Sequence, residues 1–156
     1  MHNRGVEFGL QGAGMRKQVV LLAAVALTAL AGCASTGLRE NPGVKETFEV
    51  NADFQASYRR ATEYARVCHE QRAHPYGATY NYGRAEGEKG DPNEVIVYRS
   101  TERAKILEII QTLPSEKPGW SRVTVSVLNE GIWDSAEIAA ARKSIETATP
   151  VCRPLN

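Results

Sequence analysis

A short apolar run settles how much of this chain is left to fold. Val19–Leu27, continued by Ala29–Ala31, stands close behind Arg16 and Lys17 and ends at Gly32-Cys33. A basic start, an apolar stretch of roughly 7–15 residues and a small-residue end mark a secretory signal peptide. The run is too short to cross a bilayer, which takes about 20 apolar residues. Met15 opens this pattern and residues 1–14 fit no part of it, so we read them as an upstream extension with Met15 the true initiator. Residues 15–32 are then the leader, residues 33–43 a tether, and residues 44–156 the segment that must fold.

Composition has to be read with the leader set aside. The 156 residues are 42% hydrophobic, and much of that sits in the apolar run. Without Arg4, Glu7, Arg16 and Lys17, the part from Cys33 onward carries 16 Lys and Arg against 17 Asp and Glu, a net charge of −1. Nucleic-acid binding needs clustered Lys and Arg, so this balance argues against DNA or RNA as partner. The length suits one domain.

Leu30-Ala31-Gly32-Cys33 resembles the lipobox of bacterial lipoproteins. The resemblance implies that the Cys33 thiol receives a diacylglyceryl group and that the chain is cut before it. Ala31 and Gly32 are small enough to pass the peptidase. Several acyl chains on one cysteine give a lasting anchor, at about 0.8 kcal/mol per buried CH₂. Ala34 stands where an Asp would imply retention in the inner membrane, so the expected address is the outer membrane, facing the periplasm. With Cys33 used in this way, Cys68 and Cys152 remain, and in an oxidising compartment an isolated pair is expected to form a disulfide. Two other readings stay open: a reactive thiol at Cys68 beside His69, and a metal site using His69 and His74, which lacks a convincing third ligand.

The folding segment reads as alternating elements. Lys45–Val50 is strand-like. Asp53 is a candidate N-cap, and Phe54, Tyr58, Ala61, Ala65 and Cys68 form one apolar helical stripe. Tyr80 and Tyr82 share a strand face, and Glu94–Arg99 is a further strand. Ala104–Leu113 is ambiguous, with Ile106, Ile109, Ile110 and Leu113 at helical spacing. Its β-branched content, and a Pro114–Gly119 loop leading to the alternating Val123, Val125 and Val127, decide for a strand and a hairpin. Asp134 or Ser135 opens the last helix, with Glu137 placed as in a capping box and Trp133 and Ile138 as a hydrophobic staple. Ile138, Ala141, Ile145 and Ala148 form its buried stripe. The expected fold is a single α+β domain of order β-α-β-β-β-β-α: an antiparallel four- to five-stranded sheet with both helices on one face.

Phe48–Phe54 leading into Tyr58–Ala61, together with Ser121–Val125, is similar to the entry and hairpin of small proteobacterial lipoproteins, and more distantly to BamC-like, helix-grip-like periplasmic domains. The resemblance implies a fold and assigns no catalytic residue. The sequence holds no Gly-rich phosphate loop, His-Glu-x-x-His or Gly-x-Ser-x-Gly motif, so neither enzyme activity nor a cofactor nor a metal is expected. Tyr76, Tyr80, Tyr82 and Arg84 form a candidate binding surface, against the alternative that these rings pack in the core. The leading expectation is a lipid-anchored interaction or accessory-assembly module with membrane and envelope-protein partners. The second is a domain that binds a small apolar, glycan or peptide ligand.

Overall fold

The structure, a computed structural model, describes residues 37–155. Leu30, Ala31, Gly32 and Cys33 lie outside them. Strand β1 spans Val44–Val50 and helix α1 spans Phe54–Ala65; α1 runs on into a π-helical turn, Arg66–Glu70. Strands β2 (Tyr80–Ala85), β3 (Asn93–Arg99), β4 (Ile106–Pro114) and β5 (Ser121–Val127) follow, and α2 (Ser135–Thr147) closes the order. The sheet is antiparallel throughout, in the order β1-β5-β4-β3-β2. The expected α+β class, strand count and element order all hold. Among the described residues no helix is long and apolar enough to cross a membrane.

Period-two patterning explains the layering. Val123, Val125 and Val127 are fully buried, while Arg122, Thr124 and Ser126 point the other way. Alternation of this kind buries one face of a sheet and leaves the other to solvent. On the outer face Thr47 and Thr124 pair at 2.9 Å, and Gln111 donates to Glu94 at 2.8 Å. Both helices pack on the inner face, α1 over β3, β4 and β5, and α2 over β5 and β1. Val50, Tyr58, Ala61, Val95, Ile110, Val125, Ala141 and Ile145 belong to one continuous core. Ala104–Leu113, the ambiguous stretch, supplies the central strand β4.

Side-chain caps set the helix starts. Asp53 accepts from the Ala56 N–H at 2.8 Å, and Asp134 accepts from those of Ala136 and Glu137 at 2.9 and 3.3 Å. Two expectations for α2 need correction. Glu137 does not reach back as a capping box; Asp134 takes the free N–H groups, and the Glu137 side chain turns inward and is fully buried. Ala148 is exposed and left-handed at the helix end, so the buried stripe stops at Ile145. Leu38, ahead of β1, docks on the core, with its N–H donating to the Ile106 carbonyl at 3.0 Å. A Cβ on Gly37 would lie 2.6 Å from the Ile106 nitrogen, so this docking requires glycine.

Candidate functional site

The expected Cys68–Cys152 disulfide is present, with Cα atoms 5.2 Å apart and 84 residues of separation. It joins the π-turn at the end of α1 to the segment after α2. Its two neighbours in sequence, His69 and Arg153, both enter one buried polar centre.

That centre is assembled from four elements. The widened helical turn brings residues five apart into register, as the Gln71 N–H donating to the Arg66 carbonyl at 2.9 Å shows. Tyr64 and His69 are such a pair, their rings meeting edge to face with centroids 5.2 Å apart. Glu108 comes from β4. The β3–β4 register shifts here, pairing Val97 with Glu108 and then Tyr98 with Ile106, an irregularity of the kind that re-aims side chains beside functional sites. Glu137 comes from the first turn of α2. His69 Nε2 lies 3.3 Å from Glu108 Oε2 and 3.3 Å from Glu137 Oε1. The Tyr64 hydroxyl donates to Glu137 Oε1, and Arg153 Nε stands 3.8 Å from Glu137 Oε2. Glu108 and Glu137 are fully buried and His69 is 2% exposed.

Buried charge is costly unless paired, so the electrostatics of this cluster are strongly perturbed. Burial works against the imidazolium of His69, but Glu108 and Glu137 outweigh it and push its pKa up to about 9. Burial raises Glu108 to about 7 against the pull of His69. Burial, reinforced by the two carboxylates, holds the Tyr64 phenol well above its usual value. Arg153 closes the centre from outside, donating to Asp134 at 2.8 Å and to the Ile132 carbonyl, while its own carbonyl accepts from Arg72 at 2.6 Å.

An open cleft of about 640 Å³ adjoins this centre at the end of the sheet. Tyr80, Trp133 and His74 form its floor and are all buried. The His69 ring lies directly behind them, with centroids 5.0 Å from Trp133, 6.2 Å from His74 and 6.4 Å from Tyr80. Charged residues on the rim pair with each other, Lys105 with Glu130 at 2.9 Å and Arg99 with Glu102 at 3.6 Å. Tyr76 stands at the mouth, fully exposed, in the left-handed region at φ 59°. A bulky residue is strained there, and such strain concentrates at binding sites.

The four residues proposed as a binding surface do not form a single face. Tyr80 is 6% exposed and belongs to the core and the cleft floor, whereas Tyr76 edges the same cleft from outside. Tyr82 is half-buried against the core, and Arg84 is exposed alongside α1. The sequence reading missed Glu108, Glu137 and Tyr64 as partners of His69. His74 is no companion ligand: its Nε2 donates to the His69 carbonyl at 3.1 Å. One signal was present: as a strand, β4 puts Glu108 on the same face as Ile110 and Thr112, a carboxylate among core residues. Compared with protein-family models, curated proteins and solved structures, the chain matches none of them.

Proposed function

We propose that this chain is a lipid-anchored cell-envelope protein, tethered through Cys33 at the periplasmic face of the outer membrane, whose folded domain is a non-enzymatic binding module. The Leu30–Cys33 sequence behind the apolar leader supports the anchor. Binding rather than catalysis is the reading we favour because Tyr80, Trp133 and His74 stand between the His69 centre and the cleft, while the rim charges are engaged with each other, Lys105 with Glu130 and Arg99 with Glu102.

The observation that carries the reading is the cleft itself. Its volume lies within the range of small-molecule sites, and it joins aromatic surface to a few polar groups. Because its rim charges are mutually paired, it offers hydrogen-bond donors and acceptors without a net field. That chemistry suits an uncharged glycan, whose ring can stack on Tyr76 while its hydroxyls meet the rim.

Two experiments test the two halves. Lipid labelling in cells should mark the wild type and not Cys33→Ser; a labelled variant refutes the anchor. Titration of the domain with neutral chitooligosaccharides, followed by Trp fluorescence, should saturate. Tyr76→Ala should weaken that binding about tenfold, the equivalent of one aromatic contact. Absence of saturable binding refutes the glycan reading, and in-cell crosslinking to an envelope protein would replace it with a protein partner.

A further inference from the structure

Independently of what the cleft binds, we propose that His69, Glu108 and Glu137 form a buried site for one divalent cation of the zinc class, held by the imidazole Nε2 and one oxygen from each carboxylate. The three candidate ligand atoms lie within 4.8 Å of one another. Both Nε2-to-oxygen separations are 3.3 Å. Ligand bonds of about 2.0–2.1 Å in a tetrahedron place neighbouring ligand atoms about 3.3–3.4 Å apart, so both imidazole-to-carboxylate separations match zinc coordination.

The same distances suit a purely protein network poorly. One imidazole N–H cannot point at two carboxylates, and His69 Nε2 has no hydrogen-bond partner among the described residues. Both oxygens of Glu108, a residue with no solvent exposure, also lack one. Buried carboxylate oxygens rarely go unsatisfied, because each then bears its full desolvation penalty. A cation between the three groups would give His69 Nε2 and one Glu108 oxygen a partner and balance the two carboxylates. An imidazole nitrogen with two oxygens favours zinc over magnesium or calcium, which take six or more oxygen ligands. The surroundings also suit a ligand set. Tyr64 donates to Glu137 Oε1, and Arg153 stands beside Oε2, so the Glu137 carboxylate is oriented from both sides. Three protein ligands leave a fourth position for a water, and Tyr80, Trp133 and His74 stand between the site and the cleft, so the ion is taken up as the domain folds.

The test uses the tag-free chain, unfolded under reducing conditions with chelator, then refolded and oxidised with Zn²⁺ present. After desalting, the wild type should retain one zinc per chain and Glu108→Gln less than about a tenth of that. The wild type's Tm should rise with Zn²⁺ concentration, while that of Glu108→Gln should not. Cobalt in place of zinc should give the wild type the visible absorption of a tetrahedral site, a readout that needs no variant. A folded wild type that holds no zinc and shows no cobalt band overturns the site. Equal zinc in wild type and Glu108→Gln also overturns it, by assigning the metal to the surface.

Discussion

Breaking the Cys68–Cys152 bond should cost this domain a large part of its stability, and the amount follows from the loop the bond closes. For 84 residues of separation, the chain-entropy relation gives about 4.6 kcal/mol at 25 °C. Domains of this size are typically stable by only about 5–15 kcal/mol, so the reduced protein should be close to its limit. Unfolding entropy of roughly 2.1 cal/mol/K per residue, over residues 37–155, converts the loss to a Tm drop of about 18 °C. The assay is guanidinium unfolding of oxidised and dithiothreitol-reduced protein, followed by far-UV circular dichroism. Reduction leaves the sulfurs in the core, so no cavity contributes. The Cys68→Ala, Cys152→Ala double variant should fall within about 1 kcal/mol of the reduced wild type, the difference being its small cavity. The slope against denaturant should also rise, because the uncrosslinked unfolded chain exposes more surface. A loss below about 1.5 kcal/mol refutes the argument that the bond acts by restricting the unfolded chain.

Three further outcomes are expected. Ile110→Ala, in the centre of β4 and fully buried, should cost about 2–5 kcal/mol in denaturant unfolding; a change under about 1 kcal/mol would mean the helix layer collapses onto the gap. Asp53→Ala, which removes the acceptor for the Ala56 N–H, should cost about 1 kcal/mol, and Asp53→Asn should restore most of it. Burial works to raise the Glu94 pKa, but Gln111 and Arg39 outweigh it and hold it below the ordinary 4.5. Its folded value therefore lies below its unfolded one, so its contribution is present above pH 4.5 and fades as pH falls through the folded value. In a Tm series from neutral to acid pH, the gap between wild type and Glu94→Gln should narrow only below that point; a constant gap contradicts the assignment.

The fold was legible in the sequence because its elements announce themselves through periodicity. Val123, Val125 and Val127 alternate cleanly, and Phe54 to Cys68 keeps helical spacing, so one face of each element is marked for burial. Tyr80 and Tyr82 lie two apart on β2 and so share a strand face, but periodicity names a face and not what covers it. Tyr80 lies under His74 and Trp133, which come from two separate connections. The inward turn of Glu137 was hidden because the residue occupies a position where a surface capping box is equally good chemistry. Only the placement of Tyr64 and Arg153, fixed by tertiary packing, makes the interior the better partner.

The buried centre escaped the sequence for a more specific reason. Cys68 and His69 are adjacent, and adjacent residues on an α-helix diverge by about 100°, which argues against both being buried on the same side. Both are buried all the same, because they serve different partners: Cys68 reaches Cys152, while His69 reaches β4 and α2. The crosslink repeats the arrangement on its other side, where Arg153 follows Cys152 and approaches Glu137. One covalent bond thus ties together the chain segments that carry the two side chains flanking the Glu137 carboxylate, His69 and Arg153.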